Sequence, residues 1–304
     1  MSITHPVTVD LTPAAITINT IATDDVINAA EKGADLTLSG TTTNVEPGQT
    51  VTVTFGGKNY TASVASDGSW TATVPAADLA SLPEGSASAL ASVSNINGNS
   101  ASAVHNYSVD SSAPTIIINT VASDNIVNAS EADAGVTVSG STTAEAGQIV
   151  TITLNSPTVQ TYQATVQADG SWSINIPAAD LEALTDGSHT LTATVNDKAG
   201  NPASTTHNLA VDLTVPVLTI NTIAGDDIIN ATEHGQALVI SGSSTGGEAG
   251  DVVTVTLNSK TYTTTLDASG NWSVGVPAAD VTALGSGPQT VTATVTDAAG
   301  NSDN

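Results

Sequence analysis

The chain has no cysteine, so it can form neither a disulfide nor a thiolate metal site. It also has no arginine. Its 4 basic residues are Lys32, Lys58, Lys198 and Lys260, set against 29 Asp and Glu. A formal net charge of −25 leaves no cationic groove to displace counterions from phosphates, which excludes nucleic acid as a partner. The same charge argues against docking on anionic lipid. No apolar run approaches the ~18 residues that a membrane-crossing helix needs, so no membrane insertion is expected. Aromatic residues make up only 3 % of the chain, which weighs against a sugar-binding site built on exposed rings. The first residues are not those of a basic, apolar leader, and the chain reads as an excerpt of something longer.

What the sequence does have is a repeated acidic stretch. Ile18-Asn-Thr-Ile-Ala-Thr-Asp-Asp-Val-Ile-Asn-Ala-Ala-Glu31 returns as Ile118-Asn-Thr-Val-Ala-Ser-Asp-Asn-Ile-Val-Asn-Ala-Ser-Glu131. It returns again as Ile220-Asn-Thr-Ile-Ala-Gly-Asp-Asp-Ile-Ile-Asn-Ala-Thr-Glu233. The copies lie 100 and 102 residues apart. That period is too long for a solenoid unit and long enough for each unit to enclose its own core, so the chain reads as three domains in series. The expected boundaries are 11–110, 111–212 and 213–304, the last domain lacking its final strand. Residues 1–10 are expected to be the tail strand and linker of a preceding repeat. Each linker is a Val-Asp pair followed shortly by Pro13, Pro114 or Pro216, which stiffens it.

Within the first unit, alternation of apolar and small polar residues predicts strands over Ile16–Thr20, Leu36–Thr42, Thr50–Phe55, Tyr60–Val64 and Trp70–Val74. Two more are predicted at about Ser86–Ser94 and Ala101–Val109, with Thr23–Gly33 as an acidic loop. About seven short strands per 100 residues, separated by turn signals, make an all-β chain of tandem immunoglobulin-like β-sandwiches forming an extended rod. Trp70, Trp172 and Trp272, one per unit, are expected to face the cores. Ile3–Val9 reads as an orphan strand of the last type; the alternative is that it pairs within the first domain.

Dense oxygen ligands with little basic charge nearby repel one another unless a hard cation sits among them. In this strand order, the loop between the last two strands of one sandwich faces the acidic loop of the preceding one. The first junction is then expected to collect Asp24, Asp25, Glu31, Asp110 and Asp197. The second is expected to collect Asp124, Glu131, Asp212 and Asp297, and Asp10, Asp226, Asp227 and Glu233 hold the outer positions. Together these are 13 of the 29 carboxylates. Acidic loops can serve solubility alone, but such charges need not recur at matched ends of facing domains. Asn28, Asn128 and Asn230 either supply a carbonyl ligand or shape the turn. The first domain has Asn95-Ile-Asn-Gly-Asn99 where the others have Asp197-Lys-Ala-Gly-Asn201 and Asp297-Ala-Ala-Gly-Asn301. Weaker metal binding is therefore expected at its outer end. Asn125 replaces the second Asp of its loop, so the second junction is expected to hold an ion less tightly than the first.

Taken together, the Val-Asp linkers, the Asp-Asp-x-Ile-Asn-Ala-x-Glu loops, the Asp-Gly-Ser-Trp turns and the Asp-x-Ala-Gly-Asn loops resemble a known family. They are similar to the bacterial immunoglobulin-like repeats of giant adhesins exported by type I secretion, over nearly the whole chain. The resemblance implies a secreted segment retained at the bacterial cell surface and stiffened by Ca2+ between neighbouring repeats. It implies a spacer reaching toward host cells, with host glycans or receptors as partners of the whole. The alternative is that the repeats themselves form a carbohydrate- or receptor-binding module.

Other chemistry is set aside. Gly242-Ser-Ser-Thr-Gly246 fits a nucleophile-elbow pattern but ends a predicted strand, whereas the motif needs a strand-to-helix turn. Three of the five His occupy equivalent strand positions, and none has a His partner at ligand spacing. Neither an EF-hand pattern nor a Gly-Gly-x-Gly-x-Asp nonapeptide is present, so calcium sites must be assembled from separate loops. A glycosidase needs a cleft between its carboxylates, and a row of sandwiches offers none. No enzyme activity is expected.

Overall fold

The computed structural model describes residues 2–155 and 159–303. The first domain contains β1 (Ala15–Ile16), β2 (Val26–Ile27), α1 (Ala29–Lys32), β3 (Leu36–Thr43), β4 (Thr50–Phe55) and β5 (Lys58–Ser63). It continues through β6 (Ser69–Val74), α2 (Ala76–Leu79), β7 (Gly85–Ser94) and β8 (Ser100–Val109). One sheet has the order β1-β3-β6, and the facing sheet has the order β2-β8-β7-β4-β5.

The second domain repeats this plan with β9 (Ile116–Ile118), β10 (Ile126–Asn128), α3 (Ala129–Ala134), β11 (Val136–Thr142), β12 (Ile149–Asn155) and β13 (Gln160–Thr165). It ends with β14 (Ser171–Ile176), α4 (Ala178–Leu181), β15 (Gly187–Asn196) and β16 (Pro202–Asp212). The third has β17 (Val217–Ile220), a 3-10 turn at Glu233–Gly235, β18 (Leu238–Thr245), β19 (Val252–Leu257) and β20 (Lys260–Thr265). Then come β21 (Asn271–Val276), α5 (Ala278–Thr282), β22 (Val291–Thr296) and β23 (Ser302–Asp303). The fold is all-β: three immunoglobulin-like sandwiches in tandem.

Alternation drives each strand to its face. In β4, Val51, Val53 and Phe55 are buried while the intervening Thr residues look outward, where β-branched side chains suit a pleated surface. Each sandwich has its own apolar cluster, centred on Trp70, Trp172 or Trp272. The indole lies under a strand crossing that only glycine allows. A Cβ on Gly40 would stand 1.9 Å from Thr17 O and 2.6 Å from Trp70 Cζ2, and Gly140 and Gly242 are placed the same way. Gly242 is therefore a packing residue, and the elbow-like pattern around it lies within β18.

The acidic stretch expected as a loop is partly regular. β2 pairs in parallel with β8, Val26 with Ser108 and Ile27 with Val109, and β10 pairs likewise with β16. Straight after β2, Asn28 starts α1 with a capping box: its Oδ1 accepts from Glu31 N, and Glu31 Oε2 accepts from Asn28 N. Asn128 and Glu131 build the same box. The first strand is shorter than expected, although backbone bonds from Thr17 and Asn19 continue its pairing. Residues 2–14 form no strand, so Ile3–Val9 is not paired within the first domain. In the third domain β23 pairs with β22 over two positions, the start of a last strand where none was expected.

Candidate functional site

The carboxylates singled out by the repeat fall into two groups that do different work. Asp25 sits at a positive φ of 66°, and its Oδ1 accepts from Ile21 N at 2.8 Å and meets His105 Nε2 at 2.6 Å. Asn125, at φ 70°, makes the matching bonds to Val121 N and His207 Nε2. Asp227, at φ 61°, accepts from Ile223 N. The position needs a short side chain that tolerates a left-handed backbone and accepts a hydrogen bond, which Asp and Asn both supply. Asp24, Asp124 and Asp226 each cap the following turn by accepting from Val26, Ile126 or Ile228 N. Their recorded hydrogen bonds all stay within their own domain.

The other group meets across the junctions. Ala29 N, at the exposed start of α1, donates to Asn201 Oδ1 of the second domain at 2.8 Å. The Asn201 amide then donates to Asp110 O of the linker and to Asp197 Oδ2, each at 2.9 Å. Asn201 is 1 % exposed and Asp197 7 %, so the contact is dry. The second junction repeats the arrangement. Ala129 N donates to Asn301 Oδ1 at 2.8 Å, while the Asn301 amide donates to Asp212 O at 3.0 Å and Asp297 Oδ2 at 2.9 Å. Asn128 adds a bond to Ala299 O at 3.1 Å. Asn201 and Asn301 thus tie each helix start to the linker through the backbone carbonyl of Asp110 or Asp212 and to the side chain of Asp197 or Asp297, while the Glu31 and Glu131 carboxylates cap their own helices. At the outer end, Asp10 takes bonds from Asn97 and Asn99, with Asn95 where the other domains have Asp. Asn230 and Glu233 cap the third domain's turn.

The family model described as a bacterial Ig-like domain matches residues 112–213 and 216–304. The chain belongs to the bacterial Ig-like domain family. Among solved structures it is similar to a Ca2+-stabilized adhesin that helps an Antarctic bacterium reach out and bind ice. The two are 37 % identical over 97 % of this chain and 72 % of that one, with a TM-score of 0.49. A second similar structure concerns host cell surface retention of a 1.5-MDa bacterial ice-binding adhesin. It is 36 % identical over 97 % of this chain and 96 % of that one, with a TM-score of 0.47. A tetra-tandem repeat from the extending region of a large adhesion protein is 30 % identical over 95 % of this chain and 72 % of that one, with a TM-score of 0.33. A search of curated proteins found no match.

The electrostatics of these bacterial Ig-like domains differ between junctions. At the first, Lys32 Nζ reaches Leu82 O at 2.9 Å, and Glu84 Oε1 and Ser111 Oγ at 3.2 Å each. Glu84 is held below its ordinary pKa, first by hydrogen bonds from Ser111 and then by Lys32. Position 132, where the repeat would place a second such lysine, is Ala. Asp186 stands where Glu84 stood and accepts from Leu213 N and Thr214 Oγ1. Burial lifts Asp212 above its ordinary pKa, and the charges of Asp297, Asp186 and Asp251 push it further against one hydrogen bond from Thr214.

The donors at this second junction are all oxygen, the set that suits a hard divalent cation such as calcium and not a thiophilic metal. Among the described residues, no three carboxylates or imidazoles are drawn together as a formed metal site. Asn201, Asn301, Lys32, Glu84, Asp186 and Asp251 were not singled out in the sequence. The two Asn close the Asp-x-Ala-Gly-Asn motif, so their recurrence was the available signal. Asp186 becomes visible once β15 pairs with β16, and Asp251 only once the sandwiches are stacked.

Proposed function

We propose that this chain is a calcium-stiffened stalk segment of a large, secreted, surface-retained bacterial adhesin. In this reading its work is mechanical: it holds adhesive contact away from the cell toward a host or other surface. One observation carries the reading. At the second junction Asp212 is raised by burial and by three neighbouring carboxylates, and no lysine of the chain offsets them. A calcium ion there would supply the missing positive charge and tie linker to loop through Asp212 and Asp297. At the first junction the holders would be Asp110 and Asp197. The stabilisation by Ca2+ of the 37 % identical Antarctic adhesin supports the same assignment. Within the family we liken the segment to the repeats of the giant non-fimbrial adhesin of Salmonella, on its linkers and Asp-x-Ala-Gly-Asn loops.

A carbohydrate-binding module is disfavoured because the three Trp are buried beneath glycine crossings. Tyr60, Tyr162 and Tyr262 each donate their hydroxyl to Asp78, Asp180 or Asp280.

The test is small-angle scattering of the whole chain in calcium and in chelator. Three sandwiches with strands of this length make a rod of roughly 120 Å when aligned. Calcium should hold that length, and chelation should shorten and broaden the distance distribution. Identical profiles in the two conditions would sink the proposal.

A further inference from the structure

The second domain's five-stranded sheet ends at β13, and among the described residues no strand pairs with the outer side of that edge. Val166 N donates to Gln148 O and Val166 O accepts from Gly147 N, so both backbone groups of Val166 face inward along the sheet. By alternation Ala164 and Tyr162 face the same way, and Thr161, Gln163 and Thr165 turn their N–H and C=O groups to the open edge. Gln167 Nε2 donates to Thr165 O at 2.9 Å, a carbonyl that the sheet leaves free. The side chains of Thr161, Gln163 and Thr165 are exposed. An open row of this kind is a template for another strand unless something guards it.

The first and third domains guard the matching edge with a lysine. Lys58 starts β5 and Lys260 starts β20, on the face that carries Tyr60 and Tyr262 toward the core. Each ammonium pairs with the carboxylate of Asp78 or Asp280, while the lysine side chain stays 55 % or 54 % exposed. A strand laid along β5 or β20 would strip water from that charge, and an inward-turned charge on an edge strand deters pairing. The second domain has Gln160 at this position. Tyr162 still donates to Asp180, so the edge keeps its tie to the crossing helix and loses its lysine. The 23 residues from Ala146 to Ala168 carry no charge, so the strand itself brings no carboxylate against a copy of this acidic chain.

The row also selects its partner. Thr161, Gln163 and Thr165 read the same in both directions, so two copies turned antiparallel about Gln163 set Thr opposite Thr and Gln opposite Gln. Such pairs hydrogen-bond across an antiparallel ladder. We propose that β13 is a self-pairing edge through which two copies of the chain join into one continuous sheet. The three facing pairs would form about six backbone hydrogen bonds. Thr161 N–H of one copy would take the place of Gln167 on Thr165 O of the other. The contact is isologous and closes at a dimer. In a stalk whose strands run along its length, antiparallel pairing sets the copies in opposite directions, as for stalks of two facing cells. That consequence rests on the proposed function, whereas the pairing does not.

The test is disulfide trapping in the full chain, which has no cysteine of its own. In Gln163→Cys the two sulfurs would face each other at the two-fold axis, across a Cα separation that a disulfide spans. Thr61→Cys puts a thiol at the same point of the first domain's edge, beyond Lys58, and measures chance collision. Thr61 and Gln163 are exposed, and lysine already stands at the position of Gln160 in two domains, so each variant should fold as the parent does. Under mild oxidation with calcium present, Gln163→Cys should form a linked dimer many times faster than Thr61→Cys. Adding Gln160→Lys to Gln163→Cys should bring its rate down to that of Thr61→Cys. Equal rates for the two single variants would overturn the proposal. So would trapping that stays as fast with Gln160→Lys, since the missing lysine would then not be what opens the edge.

Discussion

The two domain junctions share one skeleton and differ in charge. In both, an asparagine from the following domain bridges a helix start, a linker carbonyl and a loop aspartate. The first junction adds Lys32 between Glu84 and Ser111, with Lys198 in the facing loop. The second has Ala132 and Ala298 at those places and gains Asp251 where the second domain has Gln148. Neutral hydrogen bonds can therefore set the docking geometry twice over, and under the proposed function the surrounding charge would decide how far each docking depends on a cation from solution. Under that proposal the ranking expected from Asn125 would be inverted. That residue makes the bonds Asp25 makes, so its missing charge bears on its own turn and not on the junction.

The largest effect should come from removing calcium. The chain lacks cysteine, so single cysteines at Asn59, Thr161 and Thr261, all exposed, can carry spin labels in pairs across each junction. Chelation should broaden the distance distribution across the second junction far more than across the first. Titration should recover it on the order of 10⁻⁴–10⁻³ M, as in other extracellular calcium modules. Equal broadening at both junctions would mean that Lys32 offsets nothing.

Next in size are the bridging asparagines, which test the part the junctions share. Asn201→Ala removes the side-chain bonds to Ala29 N, Asp110 O and Asp197 Oδ2, while the backbone N–H of residue 201 still holds Asp197 Oδ1, a cost of about 1–3 kcal/mol. Its junction should loosen even in saturating calcium, and Asn301→Ala should do the same at the second. Calorimetry should show each domain still melting near its own temperature, since neither side chain belongs to an apolar cluster. If the neighbouring domains unfold with the substitution, the bridge is part of a core and the division into docking and charge fails.

Smaller still are the lysines. Lys32→Ala should make the first junction's label distance calcium-dependent, and Ala298→Lys should lessen that dependence at the second. Partly exposed ion pairs are worth only ~0.2–1 kcal/mol, so the readout is the shift in calcium midpoint and not melting. Midpoints unchanged in both variants would remove charge as the difference between junctions.

The fold was legible because its signals are local: alternation in Thr-Val-Thr-Val-Thr-Phe, Asp-Gly turns, and a Trp at one fixed position per unit. The glycine opposite that Trp was not, since Gly40 and Trp70 meet only after β3 and β6 pair. The site was half legible. Recurrence pointed to the acidic stretch as a whole but could not separate a carboxylate that shapes a turn from one that faces a neighbour. Asp24 and Asp25 lie beside Glu31 in sequence, yet β2 intervenes and sends them back onto their own domain. Asp186 stands beside Asp212 because β15 and β16 pair with Gly187 opposite Val211, whereas Asp251 comes to Asp212 from the next domain, a meeting that no spacing rule foretells.

The smallest effect expected is also the one that fixes the sign of the charge argument. Asp212 is raised in the folded chain, so its protonated form is favoured there relative to the unfolded chain. Without calcium, the second junction should therefore tighten as pH falls through the range just above the ordinary aspartate value, where the repelling charge is lost. Further acid should reverse the gain, because Asp186 is lowered by its hydrogen bonds from Leu213 and Thr214 and gives up stability once it protonates. With calcium bound the first trend should invert, since protons then compete with the ion for the same oxygens. Label distances across the second junction, followed against pH with calcium and with chelator, check both directions. Asp212→Asn, which removes the titration and keeps the shape, should flatten the upper part of the calcium-free curve. A junction that loosens steadily from neutral pH downward in chelator would show that its carboxylates attract more than they repel, and the case for a cation there would fall with it.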